Sequence, residues 1–378
     1  MKYFDKLNQR LGAAIRDNVV KDIAQGRTAG PGRVRQVTSL FAILIIITPY
    51  CVAAAGIALI GFNLDSIPAI LIGLGIVAAG YYLRTPNLRN SKETLRRAEA
   101  PELFSLLDDI AKMLDAPAVN GIHVDGHYNA YVSELQNKER ILEIGAPLWL
   151  ALTPKERVAL LSHELAHLMN RDTANSRLIY KAHGTLGRWY DLSHPPELVD
   201  QETDTRFYFD DRSLVDQFFG FLFGSAIAGV AFGFESLIFA DSQRAEYLAD
   251  VASADVAGAD ATGTLMKKII LSPIAHDILQ KTYFDGSKKI TLFQDMARAV
   301  QAPAPDQAAK IYAEATKETH RIDQSHPPTL NRMEVIAAAG KPTPTLEVNR
   351  FDWATITKEL APHFSREEQR VLAKILVQ

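Results

Sequence analysis

Leu161-Ser162-His163-Glu164-Leu165-Ala166-His167-Leu168 is the stretch on which the reading of this chain turns. Side chains four apart on an α-helix lie one above the other, so His163 and His167 can aim imidazole nitrogens at one point in space. Such a point suits a zinc ion, one per chain. Glu164 is rotated by about 100° from His163, too far to sit beside it as a ligand but well placed to reach a metal-held water as general base. The neighbouring residues supply the helix. Thr153-Pro154-Lys155-Glu156 reads as a capping box with Pro at the first helical position, and Val158, Leu161, Leu165 and Leu168 recur at helical spacing.

Catalytic zinc takes three protein ligands and leaves a fourth position to water, so one ligand is missing. The extended form of the motif needs Gly at 170 and His at 173, where this chain has Asn170 and Thr173, so the third ligand comes from a later segment. Many acidic residues follow His167. Glu246 is the choice because Asp250 stands one turn further on, letting one carboxylate reach the metal while the other orients a ligand imidazole. An ordinary exposed helix face would give the same spacing.

Outward from this centre the apolar residues are concentrated. Residues 37–62 and 66–83 carry no charge, over about 26 and about 18 positions, and the turn Asn63-Leu64-Asp65 joins them. Both outer flanks are basic, so the pair reads as a transmembrane hairpin, with the arm 1–36 and everything after Arg84 in the cytoplasm. The net charge of -3 gives no support to a nucleic-acid partner, and the single cysteine, Cys51, excludes a disulfide framework.

Residues 121–124 and 140–144 read as strands, with 128–132 between them, forming a small sheet whose edge could accept an extended peptide. His123 and His127 read as surface or packing residues. Residues 171–216 form an acidic insertion that reads as an irregular solvated loop, with a lid over the cleft as a sharper idea. The apolar segment 217–240 reads as membrane-associated without a full crossing, because one crossing would part His167 from Glu246. A re-entrant hairpin turning at its glycines or an interfacial or buried helix would satisfy this, with Asp241 capping the next helix. The catalytic domain spans 84–340, and the tail 341–378 ends in a helix opened by Ser365-Arg366-Glu367-Glu368. The fold class is mainly α with a small β-sheet, an α+β zincin-type domain behind an N-terminal transmembrane hairpin.

Three segments then resemble one family. L-S-H-E-L-A-H-L-M-N-R-D-T at 161–173, E-Y-L-A-D at 246–250 and H-P-P-T-L-N-R at 326–332 are similar to the signatures of the HtpX-like membrane zinc metallopeptidases, gluzincins related to the CAAX prenyl protease. The resemblance implies zinc on His163, His167 and Glu246, Glu164 as base, Asp250 behind a ligand, and His326 and Arg332 facing the substrate. Asn129-Ala130 resembles the family's substrate strand. It further implies a membrane-anchored endopeptidase of a bacterial inner membrane, its partners the lipid bilayer and membrane or membrane-proximal polypeptides, as in quality control. A prenyl-protein protease is the nearest alternative, and a catalytically silent peptide-binding adaptor or chaperone one from another class. Ser193-His194-Pro195-Pro196 repeats the tetrapeptide at 325–328 without the later arginine. The long arm, the acidic insertion and the tail depart from the family pattern.

Overall fold

The computed structural model describes residues 2–25, 32–85, 93–135, 137–170, 172–193, 214–285, 291–317, 327–340 and 344–377. His326, the tetrapeptide copy from His194 onward, most of the acidic insertion and the break at 341–343 lie outside the described residues. The helices are α1 (Lys2–Ala24), α2 (Arg33–Phe62), α3 (Ile67–Leu83), α4 (Pro101–Met113), α5 (Ala146–Ala151), α6 (Pro154–Met169), α7 (Asp172–Ser193) and α8 (Leu214–Ala257). They continue as α9 (Ala259–Ile270), α10 (Ser272–Asp285), α11 (Leu292–Gln301), α12 (Pro305–Ala315), α13 (Thr329–Ala338) and α14 (Trp353–Val377). Among the described residues there are also three short strands, β1 (Gly121–Asp125), β2 (Ala130–Glu134) and β3 (Arg140–Gly145). The chain is thus mainly helical with one small sheet.

The chain forms two compact units, one of Met1–Gly30, Leu88–Ala174 and Ser242–Gln378, the other of Pro31–Asn87 and Asn175–Asp241. In the first, β3 lies between β1, to which it is parallel, and β2, to which it is antiparallel. Alternation sends Ile122, Val124, Leu142, Ile144 and Ala130 to one face, where they join the core with Leu103, Leu106, Leu107 and Ile110 of α4. On the other face Glu143, though only 1% exposed, accepts hydrogen bonds from the hydroxyls of Tyr131 and Ser133. Leu95 bridges to Ile122 and covers the β1 edge. Among the described residues β2 is therefore the sheet edge without a further strand.

The tail is part of this unit. Its helix begins at Trp353, twelve residues before the expected start at Ser365, because Asp352 caps it by accepting from the backbone N–H groups of Ala354 and Thr355. Ile356, Leu360 and Phe364 enter the core. Glu359 accepts from the N–H groups of Glu102 and Leu103 at the start of α4, and Glu368 accepts from Phe293 N–H at the start of α11. Two orphaned helix ends are satisfied by the tail.

The second unit is helical. α2 and α3 close on each other at Gly56, where a Cβ would lie 2.7 Å from the carbonyl oxygen of Gly73. Among the described residues two helices are long and apolar enough to cross a membrane, Arg33–Phe62 and Phe223–Ala257, and Ile67–Leu83 is a shorter apolar helix.

Two expectations need correction here. Residues 172–193 are helical instead of irregular, because Leu178, Ile179, Ala182 and Leu186 recur at helical spacing among charged residues and meet Ala42, Ile45 and Phe234. Residues 214–257 form one unbroken helix of 44 residues, so the chain does not turn back at Gly220, Gly224, Gly229 or Gly233. A glycine costs a helix about 1 kcal/mol but does not by itself end it. Asp241 lies inside this helix and not at the start of one, and its carboxylate accepts from Arg35 Nε at 2.9 Å.

Candidate metal centre

The centre is built on α6. Its start is fixed by Glu156, which accepts from Thr153 N–H at 2.7 Å, from the Thr153 hydroxyl at 2.9 Å and from Lys268 Nζ at 2.6 Å. Val158, Leu161 and Leu165 fasten the apolar side of the helix in the core. The opposite side then presents His163 and His167 one turn apart, with their rings edge to face. The strand β2 packs against this helix.

The last third of α8 brings the carboxylates. His163 Nε2 and His167 Nε2 are 3.3 Å apart, and Glu246 oxygens lie 3.6 Å from the first and 3.7 Å from the second. Ligands at about 2.0–2.2 Å from a tetrahedral ion stand roughly 3.3–3.6 Å from one another, so this triangle has the dimensions of three zinc corners. Asp250, one turn after Glu246 and fully buried, places Oδ1 3.1 Å from His163 Nδ1. That contact selects the tautomer and aims Nε2 at the centre of the triangle.

Charge gives a second test. Glu164, Glu246 and Asp250 are all buried, and Arg332 is the buried cation that faces them. With both histidines neutral, as metal ligands must be, three carboxylates against one guanidinium leave two negative charges among the described residues, the complement of one divalent cation. The residues present therefore fit a metal. Burial lowers the affinity of the His163 imidazole for a proton, but the hydrogen bonds and charges of Asp250 and Glu246 outweigh it and push the pKa up to about 10.

Arg332 holds a place that its sequence position does not announce. Nε and Nη2 grip both oxygens of Asp250 at 2.7 Å, and Nη2 also lies 3.2 Å from Glu246. The fork that the resemblance turns toward substrate is thus engaged with the carboxylates behind the histidines. Asn129 and Ala130 open β2, and the Asn129 carbonyl accepts from Gly145 N–H at 2.9 Å. A Cβ at 145 would come within 1.8 Å of the His127 carbonyl oxygen, so only glycine permits this approach. His123 hydrogen-bonds the Glu93 carbonyl through Nδ1, and His127 approaches Asp125, both outside the cluster.

The profile of peptidase family M48 matches residues 97–339 of the chain. A Protease HtpX homolog of Pyrobaculum islandicum is 25% identical over 309 residues, covering 79% of this chain and 86% of the relative. That of Pyrobaculum aerophilum is 25% identical over 265 residues, 68% of this chain and 72% of the relative. One from Salinibacter ruber is 28% identical over 142 residues, 37% and 50% of the two chains. No solved structure gives a significant match. The family match runs from the segment before α4 to the end of α13 and takes in every residue of the cluster, and by it the chain belongs to peptidase family M48, as a membrane-associated metallopeptidase.

Proposed function

We propose that the protein is a zinc endopeptidase acting on membrane or membrane-proximal polypeptides, with its catalytic unit on the cytoplasmic side and protein quality control as its task. The observation that carries the chemistry is the triangle of His163 Nε2, His167 Nε2 and Glu246, with Glu164 buried in the turn between the histidines. Zinc bound there would supply Lewis acidity toward the scissile carbonyl and make a water acidic enough to lose its proton near neutral pH.

The protein's own groups do the rest. Glu164 takes the proton of the attacking water and passes it to the departing amine. Asp250 holds His163 by Nδ1, and Arg332 holds Asp250 and Glu246, so the guanidinium positions carboxylates, and the resemblance leaves the substrate-facing role to His326. An extended peptide added to β2 would lie along a strand packed against α6, its backbone satisfied by the exposed ladder groups. The relatives' printed name supports protease activity, and the basic flanks of the α2–α3 hairpin support the cytoplasmic placement.

The test is Glu164→Gln in purified full-length protein, scored for casein cleavage and bound zinc. We expect hydrolysis to vanish while zinc stays near one per chain. Cleavage near the parent rate would remove Glu164 from the mechanism.

A further inference from the structure

Residues 2–24 belong to the N-terminal arm 1–36, and none of the chemistry above uses them. In the fold they are helix α1, with one side that is not polar: Ile15, Val19, Val20 and Ile23 recur at helical spacing and face the same cluster. Val19 is 1% exposed and packs with Tyr247, Leu248 and Val251 of α8 and Val335 of α13. These partners surround the metal machinery from behind. Tyr247 follows Glu246, Leu248 and Val251 flank Asp250, and Val335 stands one turn after Arg332.

Two ion pairs fasten the rims, Arg16 to Glu334 at 2.9 Å and Arg244 to Asp22 at 3.6 Å. With Glu334 63% exposed, the first adds little cohesion, so the buried valine carries most of the docking. Farther along, Ala254 and Ile336 share a cluster with Met266 of α9. At the level of Tyr247 and Val335, among the described residues, Val19 is the buried apolar side chain supplied from outside α8 and α13. The grip of Arg332 on Asp250 at 2.7 Å and on Glu246 at 3.2 Å requires those two helices to keep their spacing.

We propose that α1 is a positioning strap for the third metal ligand, packing across α8 and α13 so that Glu246, Asp250 and Arg332 stay in register and the cation is held tightly. This rests on reading His163, His167 and Glu246 as the metal site. The strap lies outside the span matched by the family, which begins at residue 97. Val19 and Arg16 act through α8 and α13, so they are positioning residues whose loss shows in metal retention before it shows in peptide recognition.

The experiment uses full-length protein with Val19→Asp, Val19→Ile, Arg16→Glu, Glu334→Arg and the double charge swap, beside the parent and Glu246→Ala. Zinc release to a chelator, peptide hydrolysis at saturating zinc and amide exchange along the chain are followed. We expect Val19→Asp to release zinc about 10-fold faster or more, with faster exchange at 242–257 and 329–338, while saturating zinc restores kcat and KM stays unchanged. Val19→Ile should match the parent, each single charge reversal should speed release a few-fold, and the double swap should return it. Parent-like release from Val19→Asp while exchange shows α1 undocked overturns the strap alone. Should Val19→Asp unfold throughout, the charge set decides, and equal release from single and double reversals overturns the proposal. Equal zinc in the parent and Glu246→Ala overturns the site reading, and the strap with it.

Discussion

Arg332 brings one positive charge to three buried carboxylates, and its two-nitrogen grip on Asp250 is geometry a lysine cannot copy. We therefore expect Arg332→Lys and Asp250→Asn each to weaken zinc binding by about 10 to 100-fold while leaving all three ligands in place. Glu246→Ala should cost far more, because it removes a ligand. Competition titrations against a chelator would rank them, and parity between Glu246→Ala and the parent would refute the assignment. His163, Glu164 and His167 were legible in the sequence because their relation is local, set by one helical turn. The embrace of Arg332 and Asp250 was not, since 82 residues separate partners that only the tertiary fold brings together.

At the scale of the element, the box that opens α6 ties the histidine helix to pH. Burial raises the Glu156 pKa, but Lys268 and the two Thr153 donors outweigh it, so the folded value lies below the ordinary 4.5. A depressed carboxylate contributes stability that is complete above about pH 4.5 and fades as pH falls through the folded value. Glu156→Gln should lower stability by about 1–2 kcal/mol at pH 7, and the gap from the parent should narrow as the pH is taken down below the ordinary 4.5, measured by denaturant melts. The capping box and apolar periodicity made α6 readable. α7 was hidden because Arg177, Lys181, His183 and Arg188 stand between its apolar residues along the sequence and leave no apolar run, and α14 because Pro362 within it looks like a stop.

On the scale of the whole molecule, the segment 217–240 lies in one long helix, α8, whose stretch Phe223–Ala257 is long and apolar enough to cross a membrane. Arg35 pairs with Asp241 and Phe41 stacks on Phe234, so α8 runs antiparallel to α2. With both helices rising about 1.5 Å per residue, the same step sets Leu214 level with Phe62, at the far end of α2. A crossing by α8 would keep His167 and Glu246 on one side of a membrane only if the chain between α6 and α8 crossed as well. Single cysteines at Ser213 and Ser242, in a Cys51→Ala background, should be labelled by an impermeant thiol reagent from opposite faces. Labelling of both from the cytoplasmic face alone would rule out the crossing. The first hairpin was legible because uncharged length is a bulk property.

The order in which the unit holding the metal centre is made also matters. Its residues come from the beginning, the middle and the end of the chain, and its last helix supplies Glu359 and Glu368 to two helix starts made much earlier. While the chain is still being synthesised, the histidines emerge well before Glu246, Glu246 before Arg332, and the tail last of all. A chain that has reached Arg332 but not the tail thus holds both histidines, Glu246 and the guanidinium behind them, while the starts of α4 and α11 still lack their carboxylate partners.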